Sequence, residues 1–384
     1  MDDELRESLT KYFERDIGRP PPGVRERVLA GLEAPFVRPR RLHLAWPAAL
    51  VALVLGVMVV ATMLEVRNLQ RTEPADQHAG PVPRSGAAIG YDESRHVLVM
   101  FGGTSDGTTA LRDTWTWDGA RWTELHPAVS PSVDMLAPPV ATPGRGPKVQ
   151  SFPGLLMASD AARGSMVLYG IPGSTWTWAG RNWQRHATSP PPRGLNGAAA
   201  MGYDPVSKSV LLYISQPDGN QTWGWDGATW KELHPRTSPD VNTGVMAFDG
   251  HRLLLFGPAS GMLQGQVLTN TWAWDGTDWS LLSPAVRLPF SDSYAAAYDR
   301  AVGRLVAVVD YSSSSETWIW DGASWSREHP EHEPSARSGA VAWYDSRAHL
   351  VRLYGGLRVG STSPLGDIWG WDGNDWKLEV ETKR

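Results

Sequence analysis

One pattern governs what this chain can fold into: Trp-x-Trp followed five residues later by a third Trp, repeated six times. The copies are Trp115/Trp117/Trp122, Trp176/Trp178/Trp183, Trp223/Trp225/Trp230, Trp272/Trp274/Trp279, Trp318/Trp320/Trp325 and Trp369/Trp371/Trp376. They hold 18 of the 20 tryptophans, so the aromatic bias of the composition is the repeat itself. The first tryptophans are 61, 47, 49, 46 and 51 residues apart. A period of roughly 40 to 50 residues suits a four-stranded propeller blade and exceeds the 20 to 35 of most solenoid units.

Each unit reads as four short strands. The first copy runs RSGAAIGYD (Arg84 to Asp92), HVLVMFGG (His96 to Gly103), DTWTWDG (Asp113 to Gly119) and RWTEL (Arg121 to Leu125). The last repeats it as RSGAVAWYD, HLVRLYGG, DIWGWDG and DWKLEV. Such runs, rich in β-branched and aromatic residues and bounded by Gly, Asp and Pro, are strand signals. Asp118-Gly119 and Asp226-Gly227 mark hairpins between third and fourth strands, because glycine accepts the positive φ that such turns need. Trp117 should then face Trp122 across the hairpin, with Trp115 on the same face. The resulting indole slab is expected to pack against a neighbouring blade. Residues 128 to 153, rich in Pro, Ser and Gly, are too few for another blade and read as a long loop.

The aromatic–Asp pairs Tyr91-Asp92, Tyr203-Asp204, Phe248-Asp249, Tyr298-Asp299 and Tyr344-Asp345 recur with the diglycines Gly102-Gly103 and Gly355-Gly356 and the spaced tryptophans. In these features the chain resembles the kelch repeat family, including the galactose-oxidase-like propellers, over residues 84 to 380. The resemblance implies an all-β, six-bladed kelch-type β-propeller. Blades two to five lack the diglycine, and blade two has Ala179-Gly180 for Asp-Gly. Each unit is complete in sequence order, so closure is expected from packing of blade six on blade one, with no strand exchanged between the ends. Likeness to galactose oxidase would bring copper held by tyrosines and histidines with a Tyr–Cys crosslink. The chain has no cysteine, so that cofactor is excluded and none is expected in its place.

Ahead of the repeats, Leu42 to Leu64 is 23 residues without Asp, Glu, Lys or Arg, long enough for a transmembrane helix. Arg38, Arg40 and Arg41 precede it and Arg67 and Arg71 follow. That balance favours a cytoplasmic N-terminus, a single-pass protein of the cell membrane and a propeller outside the cytoplasm. Within residues 1–41, Leu5, Leu9, Phe13 and Ile17, then Val24, Val28 and Leu32, form two apolar stripes broken at Gly18 to Gly23, which predicts two short helices. This segment resembles the N-termini of some bacterial transmembrane anti-sigma regulators, without the His/Cys zinc motif those often carry. Residues 65–83 are polar and proline-bearing and read as a linker.

The repeats hold little recognisable chemistry. With 41 acidic and 36 basic residues and a net charge of −5, well mixed, nucleic acid is not an expected partner. No phosphate loop, metalloprotease motif or nucleophile elbow occurs. His126, His234 and His329 each lie four residues beyond a fourth-strand Trp, and His186 three. That outer position spreads them around the rim, where they cannot converge on a metal. The run Glu328-His329-Pro330-Glu331-His332-Glu333 reads as a charged loop, and no metal site is expected. Arg84 and Arg337 sit seven residues before a blade tyrosine, and Arg193 lies just upstream of the equivalent Asn196. An arginine fork at the axial mouth could take a carboxylate or phosphate. Thr104 to Arg112 and Pro258 to Asn270 are further candidates, as loops on a rigid scaffold. The reading is a membrane-anchored, extracytoplasmic binding module for a protein, glycan or small anionic ligand, without evident catalysis. The alternatives are a carbohydrate-active propeller enzyme, or a transmembrane regulator with the propeller as sensor.

Overall fold

A computed structural model describes residues 80–131, 155–170, 174–187 and 199–381, apart from 108, 264, 265, 292, 312 and 362. The expected N-terminal helices, the membrane segment 42–64, most of the linker and Arg193 lie outside these residues. Among the described residues, no helix is long and apolar enough to cross a membrane.

The described residues form six four-stranded antiparallel sheets, each built from strands that follow one another in the chain, and a two-stranded pairing of Arg337–Ser338 with Leu357–Arg358, the latter lying between the second and third strands of blade six. Blade one comprises Ala88–Asp92, Val97–Phe101, Thr114–Trp117 and Trp122–Leu125; blade six comprises Val341–Asp345, Leu350–Tyr354, Ile368–Trp371 and Trp376–Val380. The first strand of every blade packs on the first strands of the blades before and after it, and blade six meets blade one. Six inner strands therefore enclose the axis of a closed six-bladed β-propeller. As expected, no strand is exchanged between the ends among the described residues. One loop expectation needs correction: in blade four, Leu253–Leu263 and Gln266–Trp274 continue as a paired ribbon through most of the segment read as a loop from Pro258 to Asn270.

Second strands such as VLVMF (97–101) and VLLYI (210–214) are apolar throughout, the mark of a strand covered on both faces. The buried apolar residues fall into six clusters, one at each blade boundary. Between blades two and three, Val167 and Tyr169 of one sheet meet Trp223, Trp225 and Trp230 of the next. The tryptophan slab of a blade thus faces the blade before it. In all six hairpins the second and third tryptophans pair directly, with ring centroids 5.2–5.6 Å apart.

The loop joining those two tryptophans has four residues. Where it begins with Asp, the carboxylate folds back to accept backbone N–H bonds, as Asp226 does from Ala228 and Thr229, an Asx turn. Gly227 follows at φ 98°. A side chain there would also strike the Arg163 guanidinium of the preceding blade.

A buried indole N–H needs an acceptor, and the third tryptophan finds one across the blade boundary. Trp183 donates to Thr114 Oγ1, Trp230 to Thr175, Trp279 to Thr222, Trp325 to Thr271 and Trp376 to Thr317, at 2.8–3.2 Å. Each threonine immediately precedes the first tryptophan of its own blade. Blade six has Ile368 in that place, so the seam between blades six and one has no hydroxyl for Trp122. The seam keeps the ring contact, Trp122 against Tyr354 at 5.2 Å, and is also filled by Trp343, the one propeller tryptophan outside the repeat.

Thr222→Val keeps the volume but orphans the Trp279 N–H, and should cost about 1–3 kcal/mol. Ile368→Val removes one methylene from the seam and should cost at most about 1.5 kcal/mol. Urea unfolding of the two variants measures both; an unperturbed Thr222→Val protein would show that the boundary bonds do not stabilise the ring.

Candidate functional site

Arg84 and Arg337, expected to line the axial mouth, are instead 3% and 0% exposed. Arg84 forms a two-pronged pair with Asp113, at 2.5 and 2.8 Å, and donates to the Gly102 and Val82 carbonyls. Arg337 repeats this with Asp367, Gly355 and Ser335, and uses all five of its N–H groups. Each carboxylate also accepts an indole N–H, from Trp115 or Trp369. Burial acts against both carboxylates, yet the bonds from arginine and tryptophan hold Asp113 and Asp367 below the usual range. These are structural knots that offer no fork to an external anion. Gly103 and Gly356 belong to them, since a Cβ there would approach the carbonyls of Ser85 and Ser338 within 2.8 and 2.9 Å.

The histidines take no common role. His126, His234 and His329 are exposed, while His186 bonds Thr177 at 2.8 Å and stands edge-on to Trp225 of the next blade. Within the charged run, Glu331 and His332 lie with Asp375 so that ligand atoms fall within 4.8 Å of one another. The contact of His332 with Asp375 is one case of a repeated clamp, in which the residue before a third tryptophan holds the linker arriving from the previous blade. Asp375 accepts from the His332 amide, Asp278 from Thr237, Ser324 from Val286 and Asn182 from Ala128.

Room for a ligand lies along the axis. A cavity of about 870 Å³ is lined by the inner strands of all six blades. Each inner strand ends in a buried Asp that caps the turn into the second strand; Asp92 accepts from the Ser94 and Arg95 amides, and Asp345 from Arg347 and Ala348. In every blade but the second, where Ser159 stands, the residue before this Asp is aromatic, and Tyr91, Tyr203, Phe248, Tyr298 and Tyr344 form a collar around the opening. Tyr203, Phe248 and Tyr298 are half-buried, and Phe248 stands edge-on to Tyr298 at 6.1 Å. Tyr91 instead donates to Asp345 of blade six at 3.3 Å.

The charged residues of the lining, Glu93, Lys208 and Arg300, all come from these turns. Arg300 of blade five reaches past blade six to Glu93 of blade one at 2.8 Å and lies 5.9 Å above the Tyr344 ring. Burial pushes the Glu93 carboxyl up, though Arg300 works against it. Lys208 has a φ of 53°, at the turn position where blades two and five place Gly164 and Gly303. Holding a non-glycine residue there costs about 1–2 kcal/mol. The polar mouth is thus at the opposite end of the axis from Arg84, Arg337 and the loops after the second strands. Sequence reasoning missed all three charged residues; the available signal was their place one or four residues beyond the aromatic–Asp pairs.

No family description and no curated protein matches the chain. Among solved structures it is similar to AofleA from Arthrobotrys oligospora, with 8% identity, TM-score 0.53, and coverage of 79% of this chain and 88% of that one. It is also similar to the Aleuria aurantia lectin, described as a six-bladed β-propeller with a novel fucose recognition mode, at 12% identity and TM-score 0.50, covering 78% and 97%. A mutant of that lectin in complex with Fucα1-6GlcNAc gives 13% identity and TM-score 0.51, again covering 78% and 97%. At these identities the likeness is one of fold.

One buried carboxylate lies away from the mouth. Asp310 accepts from Ser315 and from the Arg337 amide through one oxygen, while the other is buried without a partner, and burial pushes its pKa up to about 6. The folded state then holds this proton more tightly than the unfolded chain, so stability falls as pH rises from about 4 through 6. Between pH 4 and 7 the wild type should lose about 2 kcal/mol relative to Asp310→Asn, whose side chain does not ionise. Unfolding curves of the two proteins across that range test this, and parallel pH dependences would refute it.

Proposed function

We propose that this chain is a membrane-anchored, extracytoplasmic binding module of kelch type whose ligand, a glycan, seats on the collared mouth of the axial cavity. The observation that carries this reading is the collar itself, in which aromatic residues of five blades line the cavity beside one carboxylate and two cations. Aromatic faces stack on the C–H faces of sugar rings, while Arg300 and Lys208 can donate to hydroxyls and Glu93 can accept from them. A largely apolar concavity with a few converging polar groups is the ordinary make-up of a ligand site. The fucose-binding Aleuria lectin, a propeller of the same blade number, lends support to the class of ligand. Glycoside hydrolysis normally needs two carboxyl groups across the bond. Glu93 is the one carboxylate among the lining residues, which favours binding over hydrolysis. The anchor rests on the uncharged run Leu42 to Leu64 and the arginines before it, and the kelch type on the repeated aromatic–Asp pairs.

Full chain in lipid nanodiscs, applied to a glycan array, should retain a defined subset of glycans. Arg300→Ala and Tyr203→Ala should each weaken that binding at least about tenfold, or 1.4 kcal/mol, in proteins whose thermal unfolding stays cooperative. Glycan binding indifferent to both substitutions would place the site elsewhere, and turnover of a bound glycan would favour an enzyme.

A further inference from the structure

The axial cavity sorts its chemistry along its length. It runs from Ala87, Leu155 and Ala199 at one end to the turn residues at the other, the length of inner strands of four to seven residues. At about 3.3 Å per residue this is roughly 15–20 Å. Its charges are confined to the turn end. Below the collar the wall carries apolar side chains such as Ile89, Met157, Met201, Val245, Ala296 and Val341. The hydroxyl of Tyr294, at the far end, is taken up by the Pro289 carbonyl and the Ser291 amide.

The charges at the mouth are unbalanced, with two cations against Glu93. The Arg300 side chain is 56% exposed in spite of its pair, and Lys208 makes no ion pair among the described residues. Glu93, its carboxyl already pushed up by burial, is a partner that an incoming anion can displace from Arg300. A neutral, fully polar ligand would use the mouth and leave the shaft unfilled. A ligand with one negative group and an apolar body matches both.

We infer that the cavity takes an acidic amphiphile, its anionic head between Lys208 and Arg300 and its alkyl-like body along the Met- and Ala-lined shaft. The inference rests on the axial cavity being the binding site, and is independent of whether the natural ligand also carries sugar.

Isothermal titration of the full chain in lipid nanodiscs with sodium butyrate, hexanoate and octanoate, and with uncharged octanol, provides the test, with empty nanodiscs as the blank. Affinity should rise about three- to fourfold per added methylene if the chain is buried in the shaft, and octanoate should bind at least about tenfold more tightly than octanol. The Lys208→Ala/Arg300→Ala double variant should lose the preference for the carboxylate yet still bind octanol. Ala296→Trp, and independently Met201→Trp, should abolish the dependence on chain length in proteins whose thermal unfolding stays cooperative. Affinity independent of chain length, or octanoate binding unchanged in both tryptophan variants, overturns the inference. If glycans bind on the array and octanoate does not, the inference fails and the proposed function stands. If octanoate binds and no glycan does, the inference stands and the sugar class falls.

Discussion

The contact on which the rest of this structure depends is the third tryptophan of each hairpin lying on the blade before it. At four boundaries its ring meets the second-strand aromatic of that blade: Trp122 on Tyr354, Trp183 on Phe101, Trp230 on Tyr169 and Trp325 on Phe256. At five boundaries its N–H is absorbed by a threonine on the third strand. A sheet built this way has two apolar faces and cannot bury both by itself. Each blade covers one face with its predecessor and the other with its successor, and only a closed ring leaves neither exposed. The repeat therefore specifies a neighbour as much as it specifies a fold.

Closure breaks the repeat, and the seam is chemically unlike the other five boundaries. At the second-strand position that turns Val99, Val167, Leu211, Leu254 and Val306 toward the next blade, blade six carries Arg352. This buried arginine pairs with Glu379 at 2.7 Å and with Asp345, and lies against Gly119 of blade one. It takes the place that turn arginines fill elsewhere, where Arg95 lies over Gly180 and Arg163 over Gly227. A threonine–tryptophan bond has thus been given up at the seam and an ion triad introduced, with Arg352 and Asp345 buried and Glu379 at the surface. Such triads add little net stability against an apolar substitute. What this one does is to make the outgoing face of blade six differ from that of every other blade.

The blades were legible because their signal is local and repeated. Trp-x-Trp-x4-Trp states both the hairpin and the face that it buries, and six copies leave little freedom of architecture. Arg84 and Arg337 were misread for the opposite reason. Their partners, Asp113 and Asp367, lie about thirty residues downstream, and a lone arginine near the axis looks free until that pairing is known. The correlation was present, since blades one and six alone combine the arginine, the diglycine and an Asp two residues before the first tryptophan. Glu93, Lys208 and Arg300 had no such marker. They occupy turn positions at which blade two carries Ala161 and Gly164, and only the ring brings three turns from different blades to one opening.

The two ends of the axis have been put to different uses, and the reason lies in the strand directions. Inner strands begin where the second and third strands are joined, and those long connections need fixing; buried guanidinium knots in blades one and six, and Ser291 and Asp310 in blade five, do this. Inner strands end at tight turns, where a single buried Asp satisfies the backbone with its own oxygens. The residue directly after it is then left out of the turn's hydrogen bonding, which is why blades one, two and five can place Glu93, Ala161 and Arg300 there without altering the fold. Chemical variety in this propeller collects where the backbone is already satisfied, and the collar of aromatic residues one position earlier gives that variety a surface on which a ligand can rest.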